Sequence, residues 1–287
     1  MKFPTFPSSK AWGGFIYLPA FEARRTIAAL HHWNMRDDSG KPGLQYDEDA
    51  AGPIGCFAYM GKMGIHAAGV YMVHTKVKDS QSGWPLIFKA SPFRSLWRIW
   101  STVKVQPLSS VLGEISATNP NGRRQIFSTV TVVSDLETLL AAHDIHLEAV
   151  QAVRNAKVDK GLIWNYITQP ILPQWATKGE PGPMGFSKLD KPLMLLSFAH
   201  SWEKQEDDNI INSETRRAVE KIEAMSRARK TDHPYRYLNY SSNWQKPFES
   251  YGEENHKFLQ DMSRKYDEQG LFQKSCTGGF KLFSEDS

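Results

Sequence analysis

Apolar positions recur with a helical period in four stretches of the chain: FEARRTIAALHHW (21–33), SDLETLLAAHDIHLEAVQAV (134–153), DDNIINSETRRAVEKIEAMSRARK (207–230) and EENHKFLQDMSRKY (253–266). Each sets apolar residues three and four apart with charges between them, which predicts helices that bury one stripe. In the second, Ser134 followed by Glu137 reads as a capping box. In the third, Ile211, Ala218, Val219, Ile222 and Met225 form the stripe. Asp207 and Asp208 stand at its positive end and Arg227, Arg229 and Lys230 at its negative end, as the helix dipole favours.

Strand patterns fall between these stretches. AWGGFIYLP (11–19) is aromatic and β-branched and stops at Pro19, which has no N–H for a ladder. IGCFAYM (54–60), GVYMVHTKV (69–77), RQIFSTVTVV (124–133), LIWNYITQPI (162–171) and LMLLSFA (193–199) follow. The last is apolar on both faces and belongs in a sheet centre. Along 162–171, Trp164, Tyr166 and Thr168 share one face, and Ile163, Asn165, Ile167 and Gln169 share the other; either set can line a hollow. Several strand pairs are joined by connections too short for a helical crossover. The predicted class is therefore α+β, an antiparallel β-sheet flanked by α-helices on one face. TKGEPGPMGFSKLDKP (177–192) lies between two strands and reads as a lid loop.

Composition narrows the partners. The 287 residues suit one domain spanning 1–287, and 9 Trp, 15 Phe and 10 Tyr favour an aromatic-lined cavity for an apolar small molecule. The net charge of +4 is mild and scattered among acids, so no nucleic-acid partner is expected. Cys56 and Cys276 have neither metal nor disulfide spacing and read as free thiols. MKFPTFPSSK has no apolar signal core and no run approaches a membrane span, so the expectation is a cytoplasmic protein with no membrane contact.

Signatures of common chemistries are missing. Gly64 to Gly69 have phosphate-loop spacing, but Val70 and Tyr71 stand where Lys and Ser or Thr are required. No G-x-G-x-x-G follows a strand and no G-x-S-x-G elbow occurs. His143 and His146, three apart on a helix, either offer metal ligands or are helix-surface side chains, and no second ligand motif favours metal. His200 and Glu203 at the end of the most buried strand form either an acid–base pair or the lead into the next helix.

HPYRYLNYSSNWQKPFESYGEENHKFLQDMSRKYDEQGLFQKSCTGGFKLF (233–283) closely resembles the C-terminal end of fungal FAD-linked oxidoreductases of the berberine bridge enzyme-like family. The similarity is carried by Tyr237-Leu238-Asn239-Tyr240, Tyr251-Gly252 with Asn255, the run Ser263 to Asp267, Phe272, and Gly278 to Leu282. NGRRQIFSTVTVVSDLETL, WNYITQPI and WGGFIYLP resemble the same family's substrate-binding domain. In that family a larger flavin-binding domain comes first, carrying the pyrophosphate loop and the His or Cys that anchor FAD, and this chain matches only the domain after it. The resemblance thus implies a substrate domain that holds no cofactor of its own. It would bind a polyketide- or terpenoid-like molecule and promote a non-redox cyclisation of Diels–Alder type, or an isomerisation. The alternative is a non-catalytic binding module, or a truncated oxidoreductase that needs a separate flavin domain. The expected polarising groups are Tyr237 and Tyr240 with Asn239 orienting, then His200 with Glu203. Trp164, Tyr166, Thr168, Phe127, Thr129 and Phe198 are the expected substrate contacts, and the surface that faces the flavin domain in the family is an expected homodimer contact.

Overall fold

The structure, a computed structural model, describes residues 10–35, 46–76, 83–117, 121–176, 178, 182–186 and 189–283. Nine strands form one sheet: β1 (Lys10–Pro19), β2 (Ala50–Met60), β3 (Ile65–His74), β4 (Trp100–Ser101), β5 (Lys104–Pro107), β6 (Arg124–Val133), β7 (Ile163–Ile171), β8 (Leu193–Trp202) and β9 (Asp232–His233). Their order is β4-β1-β3-β2-β7-β8-β6-β9, with β5 also on β1, and every pairing is antiparallel. The helices are α1 (Ala23–Asn34), α2 (Leu86–Lys89), α3 (Leu108–Ala117), α4 (Leu136–Asn155), α5 (Pro173–Ala176), α6 (Asp208–Arg229) and α7 (Glu253–Tyr266). All six predicted strands and all four predicted helices are present.

Register divides the sheet into two unlike faces. Phe57, Tyr166, Phe198 and Ser128 lie in one row across β2, β7, β8 and β6, and the next row along holds Ala58, Asn165, Ala199 and Phe127 on the opposite side. The long helices α1, α4 and α6 cover the first side, where Ile27, Leu30, Trp33, Leu139, Val150, Ile211, Val219 and Ile222 complete one core with Phe57, Trp164, Tyr166, Leu196 and Phe198. Gly55 lets α1 lie close: a Cβ there would come within 2.5 Å of Leu30 Cδ1 and 2.6 Å of Thr168 Oγ1.

Two expectations are corrected. The helices do not all share one face: α3 packs on the other side, where Val111, Leu108 and Ile115 meet Ala11, Tyr71 and Val73 at the β1–β3 end, and the Tyr71 hydroxyl donates to the Val111 carbonyl at 3.0 Å. The N-cap of α4 is Asp135, whose carboxylate accepts the Thr138 N–H at 2.8 Å. Ser134 lies one residue too early and instead meets His31 Nδ1 at 3.2 Å. Part of the 177–192 loop lies outside the described residues; within it Phe186 packs its ring on Tyr235 at 4.3 Å.

Candidate functional site

The face opposite the long helices is half-open over β2 and β7 and closed over β8, whose Leu193, Leu195, Ser197 and Ala199 on this side are buried. Cys56, Ala58, Asn165, Ile167, Gln169 and Phe127 are half-buried there, whereas their neighbours along each strand are buried beneath helices. Asn165 lies beside Cys56, with Oδ1 3.9 Å from Sγ, and burial among apolar neighbours pushes that thiol up to about 12, so it stays protonated. Period-two alternation had already separated this set on β7; its partners on β2 are what the sequence reading missed.

At the β6 end this face gains a wall. Tyr240 stacks on Phe127 with centroids 5.7 Å apart, and Tyr237 meets Tyr240 edge-on at 4.8 Å. Asn239 donates through Nδ2 to the Tyr237 hydroxyl at 3.0 Å, inside a turn of 3-10 helix (Leu238–Tyr240) that Ser241 closes by donating to the Tyr237 carbonyl. Burial, and secondarily Tyr237, raises the Tyr240 phenol above its ordinary value, so it stays a neutral donor. Four of the predicted residues, Tyr237, Asn239, Tyr240 and Phe127, are thus brought together. Thr129 belongs to the same face but is fully buried, its N–H and carbonyl both taken by the Gln245 side chain.

The remaining predicted residues lie on the other side. Trp164, Tyr166, Thr168 and Phe198 are buried under α4 and α6 and contribute to the core. His200 stacks on Trp164 at 3.6 Å and accepts the Asn165 N–H through Nδ1 at 3.2 Å, and desolvation holds its pKa well below the usual histidine range. Glu203 is half-exposed and bonds Arg123 at 2.8 Å and Lys62 at 3.5 Å. An offset of three along an extended chain points two side chains to opposite faces, so this His and Glu do not pair. His143 and His146 are not on the surface. They are buried against Phe57 and Tyr166, and among the described residues no three His, Cys, Asp or Glu converge to hold a metal.

A flavin needs a bed for its ring and backbone N–H groups for its diphosphate. The open face can supply the first. The second does not fit these residues: each of the four longest helices begins on or beside a carboxylate, at Glu22, Asp135, Asp207 with Asp208, and Glu253 with Glu254. Gly64 to Gly69 run into β3 instead of opening a helix.

This architecture is a berberine bridge enzyme-like fold. It superposes on the oxidoreductase GilR, solved with pregilvocarcin, with a TM-score of 0.60 over 96% of this chain and 58% of that one at 13% identity. The xylooligosaccharide oxidase of Myceliophthora thermophila, solved with xylobiose, gives 0.59 over 94% and 55%, also at 13% identity. In sequence the chain is a relative of fungal FAD-dependent monooxygenases. It is 31% identical over 191 residues to tpcD of Cochliobolus heterostrophus, which is 64% of this chain and 37% of that protein. It is 27% identical over 276 residues to sdcF of Emericella nidulans (92% and 56%), and 24% identical over 282 residues to the bifunctional solanapyrone synthase of Alternaria solani (97% and 50%). The chain thus spans about half the length of these relatives or less. No protein-family model matches it. Among the described residues no helix is long and apolar enough to cross a membrane.

Proposed function

We propose that the open face receives an apolar polyketide- or terpenoid-like intermediate of fungal secondary metabolism and promotes a non-redox ring closure of Diels–Alder type, or an isomerisation, with no flavin held by this chain. The observation that carries this is the half-buried strip of Cys56, Ala58, Asn165 and Ile167 on β2 and β7, separated by the buried Ala199 of β8 from Phe127 and the Tyr240–Tyr237 wall. Its polar groups are amides, phenols and a protonated thiol, which donate hydrogen bonds without gaining or losing a proton near pH 7. A pericyclic closure asks for no more than this: a flexible chain held in its reactive conformation and one hydrogen bond to a carbonyl oxygen.

A second reading has its own support. Helix α7 buries none of its residues, and Phe258, Tyr266, Leu271 and Phe272 are exposed along it and just beyond. Such a surface suits a flavin-binding domain supplied separately, or a second copy of this chain, and tpcD and sdcF are FAD-dependent monooxygenases.

The test uses linear polyenes that carry an activated alkene, incubated with the purified protein without flavin. Cyclised product above the uncatalysed rate is expected. Tyr240→Phe and Tyr237→Phe should each keep turnover at about a tenth to a hundredth of the rate, the cost of one hydrogen bond. Turnover only when FAD is added, with oxygen consumed, would favour the second reading.

A further inference from the structure

On the helix-covered side, between the start of α1 and the middle of α4, lies a hollow of about 380 Å³. That is within the size of small-molecule sites, roughly 300–1,000 Å³. Ala23 of α1 lines it with only a methyl group, and its deep wall is aromatic. The His143 ring lies edge-on to Phe57 at 5.1 Å and 5.6 Å from His146, which stacks on Tyr166 at 5.4 Å. Both imidazoles are at least nine-tenths buried, and the Nδ1 of each is sealed from solvent with no hydrogen-bond partner in the protein, Asp144 Oδ1 standing 4.0 Å from that of His143. This is unusual for polar atoms in a dry core, which cost stability when left unpaired.

Charged side chains flank the hollow. Arg24 of α1 holds Asp144 of α4 with contacts of 3.0 and 3.2 Å, tying the two helices together, and Arg154 lies over the Tyr59 ring. Burial lowers the pKa of His66, His143 and His146, so all three are neutral at pH 7, each with one donor and one acceptor. A neutral flat molecule with a hydroxyl would find apolar walls and imidazole nitrogens.

We infer that this hollow, walled by Ala23, Phe57, His66, His143, His146 and Val150, binds a neutral hydroxylated aromatic molecule of one or two rings. The hollow lies mainly on the opposite side of β2 from Cys56, the side from which Phe57 projects, and reaches Ala58 at the strand's edge. Its occupancy does not depend on the cyclase reading.

The experiment is a titration of ¹³C-histidine-labelled protein with 2-naphthol at pH 7.5, following the imidazole resonances by NMR, with His143→Gln and His146→Gln to assign them. The expected result is saturable shifts of the His143 and His146 signals with a Kd below about 1 mM. Ala23→Leu, which fills the hollow from α1, should weaken binding at least about tenfold. Leu147→Trp closes it from the exposed rim and keeps the test open should Ala23→Leu fail to fold. Histidine signals that do not move, or affinity unchanged in the filled variants, would overturn the proposal.

Discussion

His143 and His146 occupy positions on α4 that apolar residues would normally take, since Leu139, Ala142, Ala149, Val150 and Val153 of the same helix are buried with them. That spacing is visible in the sequence, and the stripe includes both histidines once the helix is drawn. Polarity alone points such residues to the surface or to a metal. Their burial gives a pH dependence with a definite sign. Desolvation lowers the His143 pKa from 6.5 to about 4, and lowers those of His146 and His200 well below 6.5. Between the folded and unfolded values the unfolded chain binds more protons, so stability rises with pH there. It is complete above about pH 6.5 and is lost as the pH falls towards 4, with His143 alone accounting for about 3 kcal/mol. Thermal unfolding followed by circular dichroism should show Tm nearly flat from pH 7 to 8 and falling steeply from 6 to 4.5. His146→Gln, which cannot take up a proton, should flatten that fall; an unchanged slope would show that carboxylates govern it.

Between elements, the edge of β6 shows how this chain closes a sheet with a side chain. β9 pairs with only two residues of β6, Thr131 and Val132, which leaves Thr129 at an open edge. The Gln245 carboxamide takes the place of a strand there. Its Oε1 accepts the N–H of Thr129 at 3.1 Å and of Ser242 at 3.0 Å, and its Nε2 donates to the Thr129 carbonyl at 2.7 Å. Gln245→Ala should destabilise by about 1–3 kcal/mol, because buried backbone groups lose their partners, and should speed hydrogen exchange at Thr129. It should also loosen the Tyr237–Tyr240 turn that precedes it. An unprotected Thr129 amide in the parent protein would refute this role. Nothing in the sequence marks Gln245, since its function depends on a contact 116 residues away. The long elements were legible because each carries its own period, and the antiparallel pairing was legible from short connections. Helix α3, LSSVLGEISA, was not: three serines and a glycine interrupt its pattern, and it is held by Tyr71 and Val73 of a strand. Strands β4 and β9 have two residues each, too few for any pattern.

For the whole molecule, the decisive feature is that one sheet has a side covered by long helices and a side that is half-open over β2 and β7. Alternation along 162–171 sorted its residues into two sets but carried no sign of which set the helices would cover. That is fixed by how α1, α4 and α6 cross, which is a property of the chain path and not of any one segment. Trp164, Tyr166 and Phe198 look like ligand contacts in sequence and serve as core; Asn165 and Ile167 look unremarkable and line the open face. The two sides therefore respond differently to truncation. Phe198→Ala, fully buried between Tyr166 and His200, should cost about 3–5 kcal/mol and lower the urea midpoint without a change in slope. Ile167→Ala, one strand away and half-buried on the open side, should cost no more than about 1 kcal/mol, since part of its surface already meets water. If the open face receives substrate, Ile167→Ala should instead weaken substrate binding, and the ordering of the two variants should reverse between unfolding and binding measurements. Equal destabilisation by both substitutions would mean that this face is buried in solution against a further layer, and the substrate surface would have to be sought elsewhere on the molecule.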